Sequence, residues 1–139
     1  MPSRPEQLRD RTKQFALRVI RLFRSLPYRA DTYVLGKQLL RCGTSVAANY
    51  RAVCRARSKA EFIARIAIAA EEAAEAVLWL ELLAESGILK PQLTADLLNE
   101  AKEIGGDTNG IAANRQKGSV MRCSITQLPN FPITQSHHG

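Results

Sequence analysis

Apolar residues between Ser58 and Gly87 recur at alternating spacings of four and three. This periodicity predicts a long helix from about Lys59 to Ser86. Ser58 and Glu61 form a Ser-x-x-Glu capping box directly before the run, and Gly87 follows it where a left-handed C-cap is expected. The apolar seam of this third predicted helix consists of Phe62, Ile66, Ala69, Ala73, Ala76, Leu80 and Leu83.

The same helix carries more apolar surface than one bundle position needs. A second apolar seam runs beside the first, from Ile63 to Ala84. A helix in a monomeric bundle buries roughly one apolar stripe, so the excess predicts burial against other protomers. The predicted oligomer interface consists of the apolar residues outside both seams, Ile68, Leu78, Trp79 and Leu82.

Three further helices are predicted. The first spans about Gln7–Ser25 and ends at Pro27, and the second spans about Thr32–Ala56 with Asp31 or Thr32 as its cap. The fourth opens at Pro91–Thr94 and runs to about residues 103–113. Its end is expected to be frayed or bent because Gly105, Gly106 and Gly110 weaken it.

Two glycines lie inside the second predicted helix, Gly36 and Gly43. Each costs about 1 kcal/mol relative to alanine in a helix interior. They favour close helix packing, and a kink at Gly43-Thr44 is the alternative. Together the four periodic segments predict an all-α, antiparallel four-helix bundle over residues 7–117, after a disordered lead of residues 1–6. Residues 118–139 are expected to form a disordered or strap-like C-terminal tail.

The length and charge of the chain narrow the possible functions. Its 139 residues are 45% hydrophobic and 6% aromatic, which suits one helical domain. No run of about 18 uncharged apolar residues and no signal-peptide region occurs, so no membrane contact and a cytoplasmic location are expected. Residues 1–65 hold 15 Lys or Arg against 4 Asp or Glu, a net of +11, and residues 66–139 hold 5 against 9, a net of −4. This polarity favours a polyanionic partner, head-to-tail self-association, or both.

Groups for catalysis or metal binding are scarce. The only histidines are His137 and His138, and no Glu-x-x-His motif of a di-iron bundle is present. No Gly-rich phosphate loop occurs, and the three cysteines have no Cys-x-x-Cys spacing. We therefore expect no enzyme activity, no cofactor, no catalytic residue and no metal site, and we expect Cys42 and Cys54 to be small buried residues.

The basic residues carry the functional prediction. Guanidinium groups bind phosphate oxygens bidentately, and neutralised phosphates release counterions. Few aromatic residues are available for base stacking, so contact with the backbone and little sequence specificity are expected. The alternative is a solvated face, or ion pairs with the acidic half of another protomer. The predicted nucleic-acid-binding residues are Arg11, Arg18, Arg21, Lys37, Arg41, Arg51, Arg55, Arg57, Lys59 and Arg65.

The centre of the chain resembles a known family. The segments Ser45–Arg51, Arg57–Phe62 and Trp79–Leu83 are similar to the bacterial four helix bundle proteins, also called 23S rRNA intervening-sequence proteins. The accessory protein of diversity-generating retroelements is related to them. The resemblance covers roughly residues 8–113, and the glycines of the fourth helix depart from the family pattern.

The resemblance implies antiparallel four-helix protomers that assemble into pentameric rings with a basic surface. It also implies a nucleic-acid partner, and a reverse transcriptase as a protein partner in the retroelement branch. The sequence thus predicts a non-enzymatic homo-oligomer, a pentamer by resemblance, that binds RNA or DNA. The alternative is a protein–protein interaction scaffold whose charge polarity serves self-assembly.

Overall fold

The computed structural model describes residues 3–116, which form four helices and no strand. They are α1 (Arg4–Ser25), α2 (Ala30–Cys54), α3 (Lys59–Glu85) and α4 (Pro91–Gln116). Each helix packs against the next along the chain, and α1 and α4 close the bundle through a looser contact. The predicted all-α, antiparallel four-helix bundle is confirmed. The predicted tail lies outside the described residues.

The bundle interior contains the predicted seam of α3. All seven seam residues, from Phe62 to Leu83, are fully buried. The larger core cluster joins the seam residues from Ala73 to Leu83 to residues of the other helices, among them Phe15, Val19, Leu39 and Ile104. A smaller cluster lies at the end where α1 and α3 begin, and it includes Leu8, Tyr50, Val53, Phe62, Ile66 and Ile111. Within residues 3–116, no helix is both long and apolar enough to cross a membrane.

Both predicted ends of α3 are confirmed. The Ser58 hydroxyl accepts a hydrogen bond from the Glu61 backbone N–H at 3.0 Å. The Glu61 carboxylate accepts one from the backbone N–H of Arg57, also at 3.0 Å, one residue before the cap. At the other end Gly87 has φ 81°, and the Leu89 N–H donates to the Leu83 carbonyl at 2.9 Å. Glycine adopts this left-handed conformation without a Cβ penalty.

The start of α1 corrects the prediction of a disordered lead for residues 3–6, while residues 1 and 2 lie outside the described residues. The helix begins at Arg4, because Ser3 and Glu6 form a capping box in which each side chain accepts from the backbone N–H of the other. The buried Tyr50 hydroxyl also donates to the Pro5 carbonyl at 3.1 Å. The Ser-Arg-Pro-Glu sequence was itself a recognisable start signal.

The bounds of α2 also differ from prediction. The helix begins at Ala30 with Arg29 as N-cap, and no side chain caps it. Asp31 lies inside the first turn, where its carboxylate accepts from the Thr32 backbone N–H at 2.8 Å. An acidic residue inside the first turn is favourable through the helix dipole, so a separate cap is not required.

The glycines of α2 mark close packing, as predicted, and the helix runs on through Gly43. A Cβ at Gly43 would lie 2.9 Å from both Cγ atoms of Val19, and one at Gly36 would lie 2.7 Å from Leu26 Cδ1.

The fourth helix is longer than predicted. It stays helical to Gln116, because buried Ile104, Thr108 and Ile111 anchor its glycine-rich half.

Candidate nucleic-acid interface

The fold converts the charge asymmetry of the sequence into two sides of one bundle. Residues 3–58, which include α1 and α2, hold 13 Lys or Arg and 3 Asp or Glu, a net of +10. Residues 59–116, which include α3 and α4, hold 5 and 10, a net of −5. Since α1 packs against α2 and α3 against α4, the bundle has a basic side and an acidic side.

Arg11 of the predicted basic set is engaged by the acidic side. Its guanidinium pairs with Glu100 at 3.0 Å, Glu103 at 3.2 Å and Asp107 at 2.9 Å. The hydrogen bond that Arg11 donates to the Glu100 carboxylate is the largest cause of the raised pKa of Arg11. This residue therefore joins α1 to α4 within the protomer.

Arg41 is engaged in the same way by α3. Its Nη1 lies 3.2 Å from Glu72 Oε2, and its Nη2 lies 2.7 Å from Glu75 Oε2. The hydrogen bond that Arg41 donates to the Glu75 carboxylate is the main cause of the raised pKa of Arg41. Arg41 is therefore paired within the protomer and does not line the groove that Arg51 and Arg55 border.

The thiol of Cys42 lies beside the same carboxylates. Its Sγ is 3.2 Å from Glu75 Oε2. Burial, and then the hydrogen bond to Glu75, raise the pKa of Cys42 to about 12. The pKa of Glu75 is lowered, mainly by the hydrogen bond that it accepts from the Cys42 thiol and next by the one from Arg41. The thiol stays protonated at neutral pH, and Arg41 supplies the opposite charge. The set thus fits a structural ion-pair cluster better than a metal site, although one ligand atom each from Cys42, Glu72 and Glu75 lie within 4.8 Å of one another.

Arg51 of α2 and its C-cap residue Arg55 border an open groove between α1 and α2, here called the basic groove. Its volume is about 440 Å³. Arg51 and Arg55 line it at the C-terminal end of α2, and Lys13 lines it from α1. Its other lining residues are small or apolar, namely Ala16, Leu17, Ala47 and Ala48.

A second depression of about 340 Å³ continues the groove toward the α2–α3 turn. It shares Ala48 and Arg55 with the basic groove and adds Ala52, Arg57 and Glu61. Arg55 thus lines both depressions, with Arg51 in the first and Arg57 in the second. The six ion pairs among residues 3–116 involve only Arg11, Arg29 and Arg41 as cations, so the groove's cations have no acidic partner there.

Lys13 is the functional candidate that sequence reasoning left out of the set. It is exposed and lies opposite Arg51 and Arg55 only because α1 packs beside α2. No spacing within α1 indicates this position. Whether Lys13 lines the groove depends on the register of α1 against α2, and the close approach of Gly43 to Val19 sets that register.

The other predicted basic residues lie outside the lining of the groove. The Lys37 Nζ lies 5.3 Å from the centroid of the Tyr33 ring on the same helix. Arg21 is exposed and Arg18 is half-buried on α1, while Lys59 and Arg65 are exposed on α3. They add to the surface potential but do not line the basic groove.

The predicted oligomer interface divides into two parts. Ile68, Leu78 and Leu82 are 36%, 49% and 38% exposed. Trp79 is half-buried and packs against the core of its own protomer. Its Nε1 lacks a hydrogen bond of good geometry, although the indole still contributes weakly to lowering the pKa of Glu75 one turn earlier. The large exposed apolar side chains of α3 are therefore Ile68, Leu78 and Leu82.

Residues 7–110 match the 23S rRNA-intervening sequence protein family. The chain belongs to this family. The chain is also similar to a solved structure from Bacteroides thetaiotaomicron, a protein of unknown function in the S23 ribosomal protein family. The two share 32% sequence identity and a TM-score of 0.75, over 80% of this chain and 99% of the other. None of the curated proteins compared with the chain matches it.

Proposed function

We propose that this member of the 23S rRNA-intervening sequence protein family binds nucleic acid through phosphate contacts on its α1–α2 side. The observation that carries the proposal is the basic groove, where Lys13, Arg51 and Arg55 converge without an acidic partner among residues 3–116. Arg57 continues the positive surface around the turn. Because the family is named for 23S rRNA intervening sequences, RNA is the first ligand to test.

The proposed mode is binding rather than catalysis. The buried Cys42 thiol has a raised pKa and is a poor nucleophile at neutral pH. Both histidines lie at positions 137 and 138, beyond the described bundle. A cationic surface with few exposed aromatic residues favours recognition of the phosphate backbone with little sequence preference.

Reversing two groove charges tests the proposal. The variant Arg51→Glu/Arg55→Glu is compared with Lys90→Glu/Lys102→Glu, which makes the same change in net charge at exposed positions on the acidic side. Binding of labelled RNA and DNA oligonucleotides is measured by fluorescence anisotropy at several salt concentrations. For the unmodified protein, about four phosphate contacts predict a slope of roughly −3 to −4 in log K against log salt.

The groove variant is expected to lose most of this affinity and to show a shallower salt slope, while the control keeps the slope. Equal losses in the two variants would show that net charge alone attracts the ligand. Absence of binding by the unmodified protein at low salt would overturn the proposal.

The exposed apolar residues of α3 favour a second proposal, that the protein also acts as a self-assembling scaffold. Ile68, Leu78 and Leu82 are flanked by exposed Glu71, Glu75 and Glu81 on the acidic side. Apolar residues ringed by charge are typical of protein–protein contact surfaces. A homo-oligomer, a pentamer by family resemblance, would bury them and repeat the basic groove around the assembly. A further protein partner, such as a reverse transcriptase, would then bind the assembled form.

A further inference from the structure

We propose that the basic groove selects unpaired nucleotides, with a base held on its apolar floor and the flanking phosphates on its cationic rim. This inference rests on the proposed function and names the ligand form that the same site takes. The floor is formed by Ala16, Leu17, Ala47 and Ala48, and the rim by Lys13, Arg51 and Arg55.

The shape of the groove separates single strands from duplexes. A duplex presents a convex, charged backbone, which can contact the rim but leaves the apolar floor in water. An unpaired base is a flat apolar ring, so it can enter the groove and remove floor and base from water together. The volume of about 440 Å³ falls in the range of roughly 300–1,000 Å³ of small-ligand pockets, enough for a nucleotide.

The rim supplies both attraction and stacking. Arg51 lies in the last turn of α2 and Arg55 is the C-cap residue four positions later, and both side chains line the same groove. A guanidinium plane stacks on a base as an aromatic ring does, which compensates for the lack of aromatic residues in the lining. Lys13, on the other wall, acts as a point charge for a phosphate.

The test separates the floor from the rim. Ala48→Leu fills the exposed part of the floor without a change in charge, and Ala95→Leu makes the same change at an exposed position on α4. Arg51→Gln/Arg55→Gln removes the rim charges. Anisotropy titrations use a labelled oligonucleotide, single-stranded or annealed to its complement, at one salt concentration. Light scattering gives the mass of each variant.

The unmodified protein is expected to bind the single strand roughly tenfold more tightly than the duplex, the scale of one stacked base. Ala48→Leu should remove most of this preference and leave duplex binding unchanged, whereas Arg51→Gln/Arg55→Gln should weaken both. Ala95→Leu should behave as the unmodified protein.

Three results would contradict this inference. Equal or tighter duplex binding that Ala48→Leu leaves unchanged refutes the unpaired-base site but keeps the proposed function. If the unmodified protein binds neither the single strand nor the duplex, both the unpaired-base site and the proposed function are refuted. A change in mass caused by Ala48→Leu but not by Ala95→Leu assigns the groove to a contact between copies of this chain, with acidic α3 as its occupant.

Discussion

At the scale of single residues, arginines of similar sequence context acquire different roles from their acidic neighbours. Arg11 and Arg41 each face carboxylates on another helix and become part of the scaffold. Arg51 and Arg55 form no ion pair with a carboxylate of residues 3–116 and border the groove. A guanidinium already paired with two or three carboxylates has little remaining attraction for phosphate, so charge count alone overstates the binding set.

Two glycines offer a matched pair with opposite expected effects on stability. In Gly43→Ala the new Cβ meets Val19 at 2.9 Å, so overpacking should cost about 1–3 kcal/mol against a gain of at most ~1 kcal/mol in helix propensity. In Gly106→Ala no atom lies within 4 Å of the Cβ, so stability should rise by about 0.5–1 kcal/mol. Urea unfolding measures both. A stabilising Gly43→Ala would refute the close α1–α2 approach.

The lowered pKa of Glu75 predicts a pH-dependent stability difference. Its folded carboxylate is favoured by the Cys42 thiol and by Arg41. This contribution is therefore present above the ordinary glutamate pKa and is lost as pH falls through the lowered folded value. Glu75→Gln should lower the free energy of unfolding by up to about 1 kcal/mol at pH 7, a small loss because the pair is partly exposed. In acid, where the carboxylate is protonated, the same change should have no effect.

Urea unfolding of the two proteins at neutral and acidic pH checks this. Glu81→Gln is the control, since exposed Glu81 forms no ion pair with any described residue. A Glu75→Gln effect that persists unchanged in acid would show that packing, rather than charge, stabilises the cluster.

At the scale of helices, local signals set the ends and tertiary contacts set the continuity. The capping residues Ser3, Glu6, Ser58 and Glu61 satisfy backbone N–H groups that a helix start leaves unpaired. Continuity through the glycines of α4 is instead supplied by buried Ile104 and Ile111. Propensity is worth at most about 1 kcal/mol per glycine, which core burial exceeds.

The contact between α1 and α4 should depend on Arg11. In Arg11→Gln the carboxylates of Glu100, Glu103 and Asp107 lose their shared cation, and their mutual repulsion should lower stability by about 1–2 kcal/mol. Added salt should reduce this loss, because it screens the exposed carboxylates.

Urea unfolding at low and high salt measures the effect. Arg9→Gln, at an exposed position of α1 without an ion pair to any described residue, is the control. Equal losses in the two variants would show that the three-carboxylate contact contributes nothing specific.

At the scale of the whole molecule, the bundle separates charge laterally. Residues 3–58 and 59–116 differ by fifteen charges, from +10 to −5, and the fold places them on opposite sides. Such a field steers a polyanion to the α1–α2 side and leaves the acidic α3–α4 side for cationic surfaces, including the basic side of a second copy.

Self-assembly should depend on the exposed aliphatic residues of α3. Leu78→Gln/Leu82→Gln removes two of them without a change in charge, so the mass measured by light scattering at micromolar concentration should fall toward that of one protomer. Leu93→Gln, at an exposed leucine on α4, should leave the mass unchanged. A monomeric unmodified protein would refute the assembly proposal, and an oligomer unaffected by the α3 changes would place the interface elsewhere.

The sequence by itself determined the fold class, the long α3 seam and the helix ends at Ser58 and Gly87, because periodicity and capping are local properties. It did not reveal that Lys13 faces Arg51, that Arg11 and Arg41 are engaged by carboxylates, or that Trp79 packs on its own core. These facts depend on the rotation and register of each helix against its neighbours. Packing between helices decides those, through contacts such as Gly43 with Val19 that join residues far apart in the chain.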